Sequence, residues 1–171
     1  MNCRFSLGDD GAVSFDVGEY DRGRELIIDP VIEYLTYLGG NTYDGAAAVA
    51  VDTQGAAYIT GYLQSPQYPV LDPFQQVTGS TQDVFVAKIA PEGNRLIFYA
   101  YLGGSYMDAG TQIAVDPTFN VYVAGWTASP NFGTRNPAQA VFGGGYENAF
   151  LAKLNAQGKL TKAASINKGS N

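Results

Sequence analysis

The chain has 171 residues, 46% hydrophobic and 15% charged, a balance that favours one folded domain over global disorder. Its formal net charge of -6 argues against nucleic acid and anionic membrane surfaces as partners. The absence of histidine excludes a Ser-His-Asp triad, a Cys-His pair and histidine-bound zinc or haem, and the single cysteine, Cys3, excludes an internal disulfide.

The first 30 residues are predicted to form an N-terminal β-hairpin extension. Residues 12–17 alternate apolar and polar side chains, as a half-buried strand does, and residues 25–29 form a second apolar run that Pro30 ends. The first ten residues contain no apolar signal core, and the longest apolar run, residues 46–51, is too short to span a bilayer. We therefore expect no signal peptide in this chain and no membrane insertion.

An internal repeat with an offset of 64 residues organises the rest of the chain. Four motifs occur twice in the same order, the last of them after one inserted residue. The first copies are Tyr-Leu-Gly-Gly from Tyr37, Ala-Val-Asp from Ala50, Tyr-Ile-Thr-Gly from Tyr58 and Val-Phe-Val-Ala-Lys-Ile from Val84, and the second copies begin at Tyr101, Ala114, Tyr122 and Ala149. A long fixed period filled with strand signals predicts a repeat array or a propeller.

Each repeat unit is predicted to contain four strands and one long loop, which is the content of one propeller blade. The predicted strands are residues 46–52, 57–62, 83–90 and 96–102 in the first unit, and 110–116, 121–126, 148–155 and 160–166 in the second. A leading strand is predicted at residues 32–38, because this segment is the first copy of the strand at 96–102, and residues 160–166 are a third copy without the aromatic residues.

The predicted fold class is therefore all-β, with two tandem four-stranded antiparallel β-propeller blades in an incomplete propeller and an N-terminal β-hairpin. The predicted divisions are residues 1–30, residues 31–102 with the leading strand, and residues 103–171. Phe85, Phe150, Val51, Val115, Tyr58 and Tyr122 are the predicted core residues. Lys88 and Lys153 are predicted to point outward from their strands.

The four motifs resemble the SBBP type of β-propeller repeat over residues 31–160. That resemblance implies a bacterial protein that is exported or held at the cell surface, so an extracellular or surface location is expected. The family has no general catalytic activity. The resemblance therefore implies a structural or interaction subunit of a larger assembly.

Repeated carboxylates are the candidate cation ligands. Asp44 and Asp108 follow the double glycines, and Asp52 and Asp116 end the inner strands. Calcium prefers oxygen ligands of this kind, but aspartates also cap turns, and neither unit contains an Asp-x-Asp-x-Asp cluster. We favour turn capping, with a calcium-dependent lectin-like binder as an alternative, and expect no other cofactor.

The long loops between the second and third strands, residues 63–82 and 127–147, are the candidate binding surface, since loops of this length are uncommon unless functional or packed onto themselves. Aromatic side chains there either stack on a ligand, such as a glycan or a peptide, or anchor the loops to a sheet. The candidates in or beside the loops are Tyr62, Tyr68, Phe74, Trp126, Phe132 and Tyr146.

The expected function is non-enzymatic binding or assembly. The alternative, a carbohydrate-active hydrolase, needs two carboxylates with different pKa values that flank one bond, whereas the acids that stand out here are duplicated with the repeat. Two blades leave open strand edges and blade faces, which predicts a protein partner or self-association, for example three chains that together supply six blades. A glycan is the alternative ligand.

Overall fold

The computed structural model describes residues 3–7, 13–17, 32–65, 82–139 and 141–166, together with residues 19, 21 and 23. The chain divides into two compact units, Met1–Ile32 and Glu33–Asn171. The described residues form strands, turns and extended segments without a helix, which confirms the all-β class. No helix long and apolar enough to cross a membrane occurs among them.

In the first unit, strands β1 (Cys3–Leu7) and β2 (Val13–Val17) pair in antiparallel register. The sequence pattern predicted β2, but it predicted residues 25–29 as the partner strand. Those residues lie outside the described part of the chain, and β1 was not predicted.

The second unit contains eight strands in two four-stranded antiparallel sheets, which confirms the two predicted blades. Sheet 1 consists of β3 (Asp44–Val51), β4 (Ala57–Leu63), β5 (Asp83–Ile89) and β6 (Leu96–Leu102). Sheet 2 consists of β7 (Asp108–Val115), β8 (Val121–Thr127), β9 (Asn148–Leu154) and β10 (Leu160–Ile166). In both sheets each strand pairs with the next along the chain.

The repeat extends to the irregularities of the two sheets. The first strand shifts register between Ala46 and Ala48 in sheet 1, and between Gly110 and Gln112 in sheet 2. A β-carbon on Gly61, opposite the first bulge, would collide with the carbonyl group of Gly45, and Gly125 is confined in the same way by sheet 2. Glycine is therefore required where each bulged strand approaches its neighbour most closely.

Sheets 1 and 2 pack face to face around one buried hydrophobic cluster. Its members are Ala56, Tyr58, Val84, Val86, Phe98, Ala100 and Leu102 from the first repeat, and Val121, Val123, Phe132, Phe150, Ala152, Leu154, Leu160 and Ala163 from the second. A smaller cluster on the opposite face of sheet 1 contains Leu63, Phe85, Ala87, Tyr99 and Tyr101. Burial of these two faces is the main source of stability, since each sheet alone would expose an apolar surface.

The predicted core is confirmed for Phe85, Phe150 and Tyr58, which are at most 2% exposed. The prediction for Val51 is wrong, because its side chain is 63% exposed. Val51 lies in β3, the edge strand of sheet 1, where a β-branched residue satisfies the strand pattern without a neighbour to cover it. Val115 and Tyr122 are half-buried.

The predicted leading strand is also wrong, since residues 32–38 lie outside any strand. Leu35 is 85% exposed and Tyr37 is 97% exposed. The equivalent strands β6 and β10 pair with β5 and β9, the third strands of their own sheets. Among the described residues no such third strand precedes residue 32, so the same apolar pattern lacks the backbone partner that strand formation needs.

This segment nevertheless keeps the packing position of an outer strand. The Tyr34 ring fills the space above Gly93, just as the Phe98 ring fills the space above Gly158. Leu38 packs against the smaller cluster on sheet 1. Residues 33–38 thus pack against sheet 1 in the same way that β6 packs against sheet 2.

Candidate functional site

A buried polar cluster on sheet 1 joins Asp52, directly after β3, with Tyr58 in β4 and Lys88 in β5. Lys88 Nζ lies 3.3 Å from Asp52 Oδ2, and the Tyr58 hydroxyl donates to the same oxygen at 3.0 Å. The ammonium lies 4.7 Å from the centre of the Tyr58 ring. Because the Lys88 and Asp52 side chains are only 11% and 2% exposed, the prediction that Lys88 points outward is wrong.

Asp52 remains ionised in this cluster because its donors outweigh its burial. Burial alone would raise the pKa of Asp52, but the backbone N–H groups of Ala56 and Gln54, the Tyr58 hydroxyl and the Lys88 ammonium together lower it. The pKa of Tyr58 is raised, chiefly by burial. The cluster therefore holds an anion and a cation together inside the protein.

Phe119 of the second repeat packs against this cluster from the side of sheet 2. Its ring centre lies 5.4 Å from Lys88 Nζ, so the ammonium is within cation–π distance of two rings. Phe119 lies in the turn between β7 and β8 with a φ of 64°, a value that is rare for a bulky residue. The equivalent position of the first repeat is Gly55, with a φ of 85°. The turn is thus repeated, but only the second copy carries an aromatic ring.

Sheet 2 repeats the polar cluster with Asp116, Tyr122 and Lys153. The Tyr122 hydroxyl donates to Asp116 Oδ2 at 3.2 Å, and Lys153 Nζ lies 4.9 Å from the Tyr122 ring centre. The side chains of Asn120 and Thr118 donate to Asp116 and hold its pKa well below the usual range. The pKa of Lys153 is raised, first by its interaction with the Tyr122 hydroxyl and more weakly by the charge of Asp116.

The second cluster differs from the first because it borders a cleft. The cleft has a volume of about 610 Å³ and lies on the face of sheet 2 that points away from sheet 1. We call this surface the open face, and define it by Tyr122, Leu151, Lys153, Lys162 and Ala164. Pro137 and Ala138 of the long loop line its rim.

The corresponding residues of sheet 1 are Tyr58, Val86, Lys88, Phe98 and Ala100, and sheet 2 buries all of them to 9% exposure or less. Leu151, by contrast, is 47% exposed, whereas its counterpart Val86 is 0% exposed. The open face is therefore a second copy of a surface that the first repeat uses to contact a neighbouring sheet.

Asp44 and Asp108 brace the start of each sheet, as the turn-capping interpretation predicts. Asp44 accepts hydrogen bonds from the Gly40 N–H at 2.6 Å and the Ser65 hydroxyl at 2.7 Å. Asp108 accepts from the Gly104 N–H and from a serine hydroxyl, both at 2.9 Å. Each carboxylate thus ties the double-glycine turn to the end of the second strand.

The pKa values of Asp44 and Asp108 are shifted in opposite directions. Asp44 is partly solvated, and although burial opposes ionisation, the donors from Gly40 and Ser65 lower its pKa. Burial raises the pKa of Asp108 to about 6, because its hydrogen bonds only partly offset the desolvation and the charge of Asp83 adds to it. Gly103 lies where the carboxylates of Asp83 and Asp108 converge.

The neighbouring carboxylates Asp83 and Asp108 were not predicted as a pair from the sequence. The position equivalent to Asp83 is Asn148, so the repeat gave no signal for it. Asp83 is 5% exposed and Asp108 is 0% exposed. The backbone N–H of Asp108 donates to the Gln82 carbonyl at 3.0 Å, which places the pair inside the junction between the two sheets.

The structure places the predicted cation ligands apart from one another in their own turns. Within the described ranges, no group of three acidic, cysteine or histidine side chains is arranged to hold a metal ion. Asp52 forms an ion pair with Lys88, and Asp116 accepts hydrogen bonds from the side chains of Asn120 and Thr118. The calcium interpretation for Asp44, Asp52, Asp108 and Asp116 stays a prediction.

The predicted binding aromatics that the structure describes lie in different environments. Phe132 is 6% exposed, with its ring centre 4.8 Å from that of Phe150, so it anchors the second long loop to the core. Tyr146 is 97% exposed. Tyr68 and Phe74 lie outside the described residues.

Tyr62 and Trp126 occupy equivalent, half-buried positions in β4 and β8. Tyr62 covers Gly45 closely. Trp126 lines a separate cleft of about 440 Å³ together with Tyr106 and Met107. Of the predicted aromatics, Trp126 therefore lies at a cleft. Lys153 and Leu151, which line the 610 Å³ cleft, were not among the predicted binding residues. A signal was present, since a tyrosine follows the strand-ending aspartate by six residues in both units.

No protein-family model matches this chain, and no curated protein matches it. The resemblance to SBBP repeats therefore stays a prediction.

Proposed function

We propose that this chain is a non-enzymatic binding and assembly module, and that the open face of sheet 2 binds a blade-like β-sheet of a protein partner. The observation that carries the proposal is the contrast between two copies of one surface. On sheet 1 the Asp52–Tyr58–Lys88 cluster is buried under sheet 2, and on sheet 2 the Asp116–Tyr122–Lys153 cluster borders a 610 Å³ cleft.

The chemistry of the open face suits a protein surface. Leu151 and Ala164 supply apolar contact area, and the lysines supply a polar rim, a combination that is typical of protein interaction sites. The carboxylates of the repeat are used as turn braces, which favours a structural role over acid/base catalysis. The resemblance to exported repeat proteins supports a location at or outside the cell surface.

The partner is a different protein rather than a second copy of this chain. Two open faces that met would bring Lys153 and Lys162 of one copy against the same lysines of the other, which is unfavourable. The opposite face of sheet 1 offers no alternative contact for a second copy, since Phe85, Tyr99 and Tyr101 are at most 2% exposed.

The test is site-specific photo-cross-linking of the full chain in its native cells. A photoreactive amino acid replaces Leu151, and the matched control carries it at the exposed turn residue Glu92. We expect a protein adduct from position 151 that is lost when Lys153→Glu is added, and none from position 92. The absence of an adduct from position 151, an adduct that Lys153→Glu leaves unchanged, or an adduct of two 18.2 kDa chains would each contradict the proposal.

A further inference from the structure

We propose that the cleft beside Lys153 is a socket for one aromatic side chain carried at the tip of a tight turn of the partner. This inference rests on the proposed function and adds the chemistry by which the partner is recognised. Its template is the occupied copy of the same site within this molecule.

In the occupied copy, the aromatic side chain is Phe119. Lys88 Nζ lies 4.7 Å from the Tyr58 ring centre and 5.4 Å from the Phe119 ring centre, while Asp52 Oδ2 lies 3.3 Å from the same nitrogen. The ammonium thus contacts one ring from its own sheet, one ring from the neighbouring sheet, and a carboxylate. Desolvated cation–π contacts of this kind are among the stronger ones.

The copy on sheet 2 keeps the lysine and the first ring of this arrangement, lacks the second ring, and has its carboxylate, Asp116, held by its own turn instead of by the lysine. Lys153 lies directly opposite Tyr122 in the β8–β9 register, as Lys88 lies opposite Tyr58. Its Nζ has the Tyr122 ring at 4.9 Å and borders the cleft. Because an engineered apolar cavity of about 150 Å³ holds benzene, the 610 Å³ cleft has room for a phenyl ring and for the turn that carries it.

The turn that carries Phe119 shows which backbone presents such a ring. Asp116 accepts from the Thr118 N–H and the Asn120 N–H at 2.9 Å each, and the Phe119 N–H donates to the Asp116 carbonyl at 2.9 Å. Phe119 has a left-handed backbone conformation, and its ring reaches Lys88 of sheet 1. A partner with an Asp-x-x-Phe-Asn turn therefore fits the socket.

The two copies differ in one respect that sets charge preference. Phe98 in sheet 1 is replaced by the exposed Lys162 in sheet 2, so the socket contains two lysines where its template contains one. The ligand is therefore an aromatic-tipped turn with acidic or neutral flanks, since a basic turn would be repelled.

The test titrates the full chain with a cyclic peptide of sequence Val-Asp-Pro-Thr-Phe-Asn-Val, which copies residues 115–121, while NMR chemical shifts are recorded. A second peptide has alanine in place of the phenylalanine. We expect shifts of the Lys153 and Tyr122 signals with the first peptide and none with the second. Lys153→Met should weaken binding roughly 2- to 30-fold, the range that exposed to desolvated cation–π contacts span. Lys159→Met, a lysine outside the cleft lining, should leave binding unchanged.

Equal binding of both peptides, equal binding by Lys153→Met and the parent, or the absence of shifts at Lys153 and Tyr122 would overturn the socket. These failures are distinguishable from failure of the proposed function. An adduct from position 151 that depends on Lys153 would then remain, and it would show that the open face binds its partner without an aromatic plug.

Discussion

Lys88 and Lys153 hold the same register position in the two sheets, but only Lys88 is paired with a buried carboxylate. Lys88 Nζ lies 3.3 Å from Asp52 Oδ2, both side chains are buried, and Phe119 of the second repeat packs over the ammonium. Lys153 lies over Tyr122 at the edge of a cleft, and Asp116 is satisfied by its own turn. The same sequence motif thus places Lys88 in a buried ion pair and Lys153 beside an open cleft.

The first prediction follows from this difference. Lys88→Met removes the partner of a buried anion, so it should lower the free energy of unfolding by roughly 3–5 kcal/mol. Lys153→Met removes a charge that is not in a buried ion pair, so it should cost much less than Lys88→Met. Urea unfolding at neutral pH measures both, and similar costs for the two variants would show that Lys88 is not a buried ion-pair partner.

The second prediction concerns pH and Asp108. The folded pKa of about 6 lies above the ordinary value of 3.8, so the folded state holds an extra proton between these values and stability falls as pH rises through this window. Above about pH 6 the ionised carboxylate costs about 3 kcal/mol relative to pH below 3.8. Asp108→Asn removes this cost. Its stability relative to the parent should therefore increase between pH 4 and pH 7, as measured by urea unfolding.

Asp44→Asn is the matched control, because the same position in sheet 1 shifts in the opposite direction. The pKa of Asp44 is lowered, so its contribution is present above the ordinary value of 3.8 and is lost as pH falls through the lower folded pKa. Asp44→Asn should thus be less stable than the parent at pH 7, and the difference should shrink in acid. The same pH trend for both variants would contradict the assignment of opposite shifts.

The third prediction is that Phe132 is a core residue within a loop. Phe132→Ala removes a ring that is 6% exposed and packed on Phe150, so it should lower the free energy of unfolding by roughly 3–5 kcal/mol. Tyr146→Ala, in the same loop but 97% exposed, should change stability by less than about 0.5 kcal/mol. If both changes left stability unaltered, Phe132 would be available for ligand contact instead.

Repetition made the two sheets predictable, because four strands recur with their turns and glycines at nearly constant spacing. The environment of individual residues was less predictable. A lysine in an alternating strand has the same local pattern whether it faces water or a neighbouring sheet, and the burial of Lys88 depends on Phe119, which lies in the other repeat. The position of Phe132 likewise depends on a long-range contact with β9 that loop composition does not encode.

The last prediction concerns the segment whose strand pattern did not produce a strand. Tyr34 is 36% exposed and its ring rests above Gly93, whereas Tyr37 is 97% exposed. Tyr34→Ala should therefore cost roughly 1–2 kcal/mol of stability through lost apolar burial, and Tyr37→Ala should be neutral within about 0.5 kcal/mol. Thermal and urea unfolding of both variants tests this difference. Two neutral variants would show that the segment does not pack on sheet 1 in solution, whereas a loss confined to Tyr34→Ala would show that it holds the position of an outer strand without strand pairing.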